Sequence, residues 1–192
     1  MTVGGALVRP VAKWTYLMLN KPAGVLTSVG DDRGRETVID RVPAGMGRLF
    51  PVGRLDLDSR GLILLTDDGE LAARLMHPRY HVEKEYRVLV AGHPDAAALS
   101  RLREGMIVKG EHFSPARVGQ LEAGPHESRL AMVLTEGRKR EIRRLWQALG
   151  HRVLDLQRVR IDGLQLGDLD EGRTRPLKPE EVDGLRAAAG LL

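Results

Sequence analysis

The spacing of apolar and polar residues predicts a strand-rich chain with a few helices between the strands. Trp14–Leu19 alternates and is rich in β-formers, predicting a strand that ends at Asn20-Lys21-Pro22, with Pro22 and Gly24 in a turn. Val25–Val29 predicts a short strand and Glu36–Val42 a short helix stopped by Pro43, with the polar loop GDDRGR between them. Leu49–Val52 reads as a strand, and Leu62–Leu65, apolar throughout, as a strand buried on both faces. Gly69–Met76 is helical with Asp68 as N-cap, and Pro94–Glu104 is helical with its cap at Asp95 or just before it. Between them His81–Val90 alternates, placing Val82, Lys84, Tyr86, Val88 and Val90 on one side. Hairpins are expected over 106–135, then a helix over Arg140–Leu149 ended by Gly150. Strands follow at His151–Val159, Gly163–Leu166 and Thr174–Leu177, and Pro179 opens a last helix. Residues 1–12 read as a loose lead-in. Consecutive strands with few intervening helices predict an α+β fold on a mixed, mostly antiparallel sheet, not regular βαβ repetition.

At 192 residues the chain is expected to be a single domain. If it divides, the break falls near Ala91–Asp95, giving subdomains at about 13–91 and 92–178 that share one sheet with a cleft between them, followed by a C-terminal helix over 179–192. There are no cysteines, which excludes disulfides, thiolate metal sites and a Cys nucleophile and fits a reducing compartment. The start, MTVGGALVRP, lacks a signal-like apolar core, and no apolar run reaches membrane-spanning length; a cytoplasmic protein without membrane contact is expected. A net charge of +4 is mild, but its distribution is not: five of the seven residues Arg138–Arg144 are cationic, and Arg152, Arg158, Arg160, Arg173 and Arg175 follow. Such Arg-rich clustering is the footprint of a polyanion-binding surface.

Candidate chemistry concentrates in Val52–Leu75, where Arg54, Asp56, Asp58 and Ser59 sit between two apolar runs. If Val52–Asp58 is extended, Arg54, Asp56 and Asp58 face a cleft while Leu55 and Leu57 anchor the segment. On these residues alone the Asp-x-Asp pair has three readings: a catalytic carboxylate, a Mg²⁺ site, or turn residues that satisfy backbone N–H groups.

Four motifs then resemble those of the pseudouridine synthases, in the RsuA-type branch of ribosomal RNA enzymes. They are Asn20-Lys21-Pro22-x-Gly24-Val25, Gly53-Arg54-Leu55-Asp56-Leu57-Asp58-Ser59 running on to Gly69, Lys84-Glu85-Tyr86-x-Val88, and Glu136 to Leu145. The resemblance covers nearly the whole chain and implies the family's catalytic fold. It implies isomerisation of uridine to pseudouridine with no metal or organic cofactor. Asp56, directly after Arg-Leu, is then the nucleophile and Asp58 mostly a turn residue. Attack at uracil C6, attack at C1′ and proton abstraction at C2′ all stay open for Asp56. By the same resemblance Arg143 pairs with Asp56, Tyr86 packs on the flipped base, and Arg54 enters the space the base vacates. Lys21, Lys84, Arg138, Lys139, Arg140 and Arg144 are expected to contact RNA, Lys21 and Lys84 with a buttressing role as the alternative. Arg140 and Arg144 are expected to share a helix face. The first motif begins at Asn20, so this reading expects the catalytic domain without the small N-terminal S-four-like RNA-binding domain of many relatives. The segment His77–Val88 resembles the large-subunit members and favours 23S over 16S rRNA. The expected partner is ribosomal RNA or a ribosomal-subunit precursor, and the expected state a monomer. The rival expectations are a catalytically silent RNA-binding or ribosome-assembly factor on the same fold, and a Mg²⁺-dependent nuclease or transferase.

Overall fold

The computed structural model describes residues 14–192, together with the backbone of two short paired strands before them, β1 (Thr2–Val3) and β2 (Ala6–Leu7). The expected lead-in over 1–12 otherwise lies outside the described residues. One nine-stranded sheet organises the chain. Its first half holds β3 (Tyr16–Lys21), β4 (Phe50–Val52) and β5 (Arg60–Thr66) with α1 (Gly69–Met76) behind. Its second half begins with β6 (Lys84–Ala91), followed by α2 (Ala96–Glu104). A small hairpin of β7 (Met106–Val108) and β8 (Glu111–Phe113) stands apart, and β9 (Arg117–Ala123) and β10 (Glu127–Leu134) return to the sheet. After α3 (Glu141–Ala148) come β11 (Val153–Ile161), β12 (Leu164–Gln165), β13 (Thr174–Pro176) and α4 (Pro179–Ala188).

The strand order is β13-β3-β5-β11-β6-β10-β9, with β4 added to β5 and β12 to β11. Every pairing is antiparallel except β5–β11, the α+β arrangement expected. The chain does not fill the sheet in two sequential blocks. β6 lies between β11 and β10, while β13 and α4 come back to the first half. Glu36–Val42 forms only a single 3₁₀ turn, Val38–Arg41, because Thr37 and Asp40 close a capping box at its start and Pro43 prevents extension.

The apolar run in β5 is explained by its two faces. Ile63 and Leu65 enter one core with Tyr86, Val88, Leu130, Met132 and the α2 and α3 residues Leu102, Ile142, Leu145 and Trp146. Leu62 and Leu64 enter the other with Leu71, Leu75 and Leu185 of α1 and α4. The first core spans both halves on one side of the sheet. The parallel seam is short: only Gln157 opposite Arg60 and Arg158 opposite Gly61 are in register. Gly61 has φ +106°, and a Cβ there would lie 2.2 Å from the Arg158 carbonyl oxygen, so the strands meet only because this residue is glycine.

Candidate active site

Immediately before that seam, β4 ends and the chain turns. The Ser59 N–H donates to the Asp56 carbonyl at 3.0 Å, closing a turn with Leu57 and Asp58 at its centre. The expected extended alternation therefore stops at Asp56. Leu55 is buried in the main core, but Leu57 is 44% exposed and anchors nothing. Asp56 emerges between them at a cavity of about 340 Å³. The apolar lining is Leu55, Tyr86, Leu134, Ile142 and Leu156; the polar lining comes from Arg54, Ser59 and the stretch Gly137–Glu141. Thus the second and fourth motifs meet at one cleft, with Tyr86 of the third on its wall.

The first motif lies underneath. Lys21 is fully buried, its ammonium donating to the Ser59 carbonyl at 2.7 Å and the Pro22 carbonyl at 2.9 Å. Burial holds its pKa down to about 8, while Asp58 and Asp56 pull the other way. This corrects the expectation of an RNA contact: Lys21 braces the turn from inside. Lys84 is also turned inward, donating to the Val82 carbonyl at 3.1 Å; burial, with Arg158 nearby, brings its pKa to about 8.

Arg143 does not pair with Asp56. Its guanidinium spans from the Asp58 carboxylate, 3.1 Å away, and the Asp58 carbonyl to the Val153 carbonyl on β11. Among the described residues Arg140 is the cation nearest Asp56, at 3.8 Å, and it also reaches Asp58 at 3.4 Å. The reason is backbone geometry. Arg140 occupies a left-handed conformation (φ 52°, ψ 32°) ahead of α3, which swings it off the helix face and over the turn. Arg140 and Arg144 therefore do not share a face: Arg144 lies against Glu111 and over the Phe113 ring, with Arg138 over the same ring. Lys139 and Arg54 are exposed at the cavity and make no ion pair among the described residues. Beyond Arg140 a second cleft of about 520 Å³ is bounded by Asp58, Arg143, Gln147, His151 and Arg152.

Two residues near this site, Thr27 and Glu141, take on roles that the sequence did not assign them. Thr27 is half-buried beside the turn and uses its hydroxyl twice, donating to the Leu55 carbonyl at 2.9 Å and accepting from the Leu55 N–H at 3.3 Å. Glu141 is 4% exposed and accepts the Arg138 N–H at 2.8 Å, while its other carboxyl oxygen is buried without a hydrogen-bond partner. Burial, with the negative charge of Glu136 nearby, pushes Glu141 up to about 7. The pair brackets the loop that carries Arg138, Lys139 and Arg140. Asp56 and Asp58 gain no third carboxylate or histidine at metal-binding distance among the described residues.

Residues 15–148 match the family model described as RNA pseudouridylate synthase. The chain is 40% identical over 176 residues to ribosomal large subunit pseudouridine synthase B of Bacillus subtilis, covering 91% of this chain and 72% of that protein. Its namesake in Pseudomonas aeruginosa is 38% identical, aligned with the whole chain and 51% of its own length. A solved pseudouridylate synthase superposes with a TM-score of 0.83 at 34% identity, covering 90% of this chain and 74% of that one. With the family's motifs gathered on one cleft and these matches over most of the chain, the protein belongs to the RNA pseudouridylate synthase family and is an enzyme of that kind.

Proposed function

We propose that this enzyme isomerises a uridine of ribosomal RNA, in the 23S molecule, to pseudouridine, with Asp56 as the nucleophile. The observation that carries the reading is Asp56 at the edge of a base-sized cavity walled by Tyr86 and ringed by Arg54, Arg138, Lys139 and Arg140. The names of the large-subunit relatives support the choice of RNA.

A target base buried in folded RNA has to leave its stack to reach Asp56. The apolar wall of Tyr86, Leu134 and Leu156 receives the uracil face, and Arg54, exposed at the rim, is placed to fill the vacated stack. Lys139 and Arg140, with Arg138 and Arg144 beyond them, supply the phosphate contacts. In the reaction the N1–C1′ bond breaks, the uracil turns, and C5 bonds to C1′; C5 loses its proton and N1 gains one. Asp56 acts as a covalent carboxylate catalyst. Arg140 stands 3.8 Å from its carboxylate, whereas Arg143 secures the turn that presents it.

Release of tritium from C5-labelled uridine in rRNA tests this. Release is expected with the wild-type protein. Asp56→Asn should abolish it while RNA binding is largely kept. Full turnover by Asp56→Asn, with loss in Asp58→Asn, would overturn the assignment. Release from 16S but not 23S RNA would overturn the choice of substrate.

A further inference from the structure

Every backbone carbonyl from Leu55 to Ser59 is tied down, as are the Leu55 and Ser59 N–H groups. Thr27 holds the Leu55 N–H and carbonyl. Ser59 N–H takes the Asp56 carbonyl, and the Gly24 N–H takes the Leu57 carbonyl at 2.8 Å. Arg143 takes the Asp58 carbonyl and Lys21 the Ser59 carbonyl. By contrast the Asp56 side chain has a single distant partner among the described residues, Arg140 at 3.8 Å. Its aim is therefore set by the backbone on either side of it, not by a side-chain ion pair. Of the ties, only Thr27 grips the residue directly before Asp56, and it does so through both hydrogen-bonding groups of that residue.

From this geometry we infer that Thr27 is a positioning residue for the reaction, its hydroxyl fixing the peptide unit from which Asp56 projects into the cleft. The inference rests on Asp56 being the nucleophile. Thr27 lies on the segment after the first motif, 28 positions before its partner, and its side chain is not among the groups lining the cavity. It acts through Leu55 and does not touch the base. Without the hydroxyl, the Leu55 N–H and carbonyl lose their partner in a partly buried site, and the segment relaxes toward other donors and acceptors. A carboxylate displaced by a fraction of an ångström loses alignment with the reacting carbon, while the arginines that bind RNA stay where they are.

The test compares Thr27→Val, which keeps shape and removes the hydroxyl, with Thr27→Ser, which keeps the hydroxyl and removes the methyl. C5-tritium release is measured alongside RNA affinity and thermal midpoint, with Asp56→Asn in parallel. Thr27→Val is expected to lose about 10- to 100-fold in kcat, with KM and RNA affinity within about twofold and the fold retained. Thr27→Ser is expected to recover to within about threefold of wild type. Turnover within about twofold of wild type in folded Thr27→Val would overturn the inference, as would equal losses in Val and Ser, which would assign the effect to packing. If Thr27→Val does not fold, the Ser variant and Thr27→Ala are judged by the same hydroxyl criterion. Should Asp56→Asn remain active, the nucleophile assignment fails whatever Thr27 does; an inactive Asp56→Asn beside an active Thr27→Val removes only the role given to Thr27.

Discussion

Replacing Gly61 by alanine should be among the most damaging single-methyl changes in this protein. The added Cβ would sit 2.2 Å from the Arg158 carbonyl oxygen and 2.7 Å from its nitrogen. These are backbone atoms on the facing strand and cannot rotate aside. Three costs follow. An L-residue in a positive-φ conformation costs about 1–2 kcal/mol. Overpacking against a fixed neighbour costs about 1–3 kcal/mol. Opening the β5–β11 seam loses its hydrogen bonds, at roughly 1 kcal/mol each. Together these reach about 3–6 kcal/mol, a large part of the 5–15 kcal/mol typical of a folded domain. Gly53→Ala is the control: its φ is also positive, +74°, but the nearest neighbour of a Cβ there is the flexible Met76 side chain at 3.9 Å. That change should cost only the conformational part. Urea denaturation gives both values from the midpoint and slope. The reasoning is refuted if Gly61→Ala falls within about 1 kcal/mol of Gly53→Ala. Because the seam joins the half carrying Asp56 to the half carrying Tyr86 and Leu156, whatever Gly61→Ala protein folds should also turn over poorly.

Other changes probe the site from different directions. The folded protein keeps a proton on Glu141 that the unfolded chain has released, so its stability should fall as pH rises from about 4.5 to about 7 and stay reduced above that. Glu141→Gln keeps the acceptor for the Arg138 N–H and should flatten that fall, seen as thermal midpoints between pH 4.5 and 8; an unchanged slope would refute the assignment. Leu55→Ala should cost about 2–5 kcal/mol because it empties a core position. Leu57→Ala, two residues on and exposed, should stay within about 0.5 kcal/mol; equal costs in urea denaturation would mean that the turn at Asp56–Ser59 is not formed.

Read from the sequence alone, element types came through where a local rule decides them. Asp68 and Asp95 cap the helices expected of them, through hydrogen bonds to the Leu71 and Ala98 N–H groups. Alternation in β6 correctly put Tyr86, Val88 and Val90 on one buried face, and the unbroken run in β5 correctly signalled two-sided burial. The four motifs carry the family because residue identity at fixed spacing needs no knowledge of the fold. Side-chain partnership was not legible in the same way. Whether Lys21 meets a phosphate or a carbonyl depends on which loop covers it. Arg143 takes Asp58 and not Asp56 because a turn places Asp58 beside α3. Arg140 leaves the helix face because one residue adopts a left-handed conformation that spacing does not encode. Thr27 and Glu141 gained their roles only when segments 28 residues apart, or two acids flanking a loop, were brought together. Local chemistry in the chain determines what each stretch can become and which reaction family it serves. Tertiary packing alone decides which polar group answers which, because a hydrogen bond or a pKa depends on distance and burial, and neither exists until the sheet has closed.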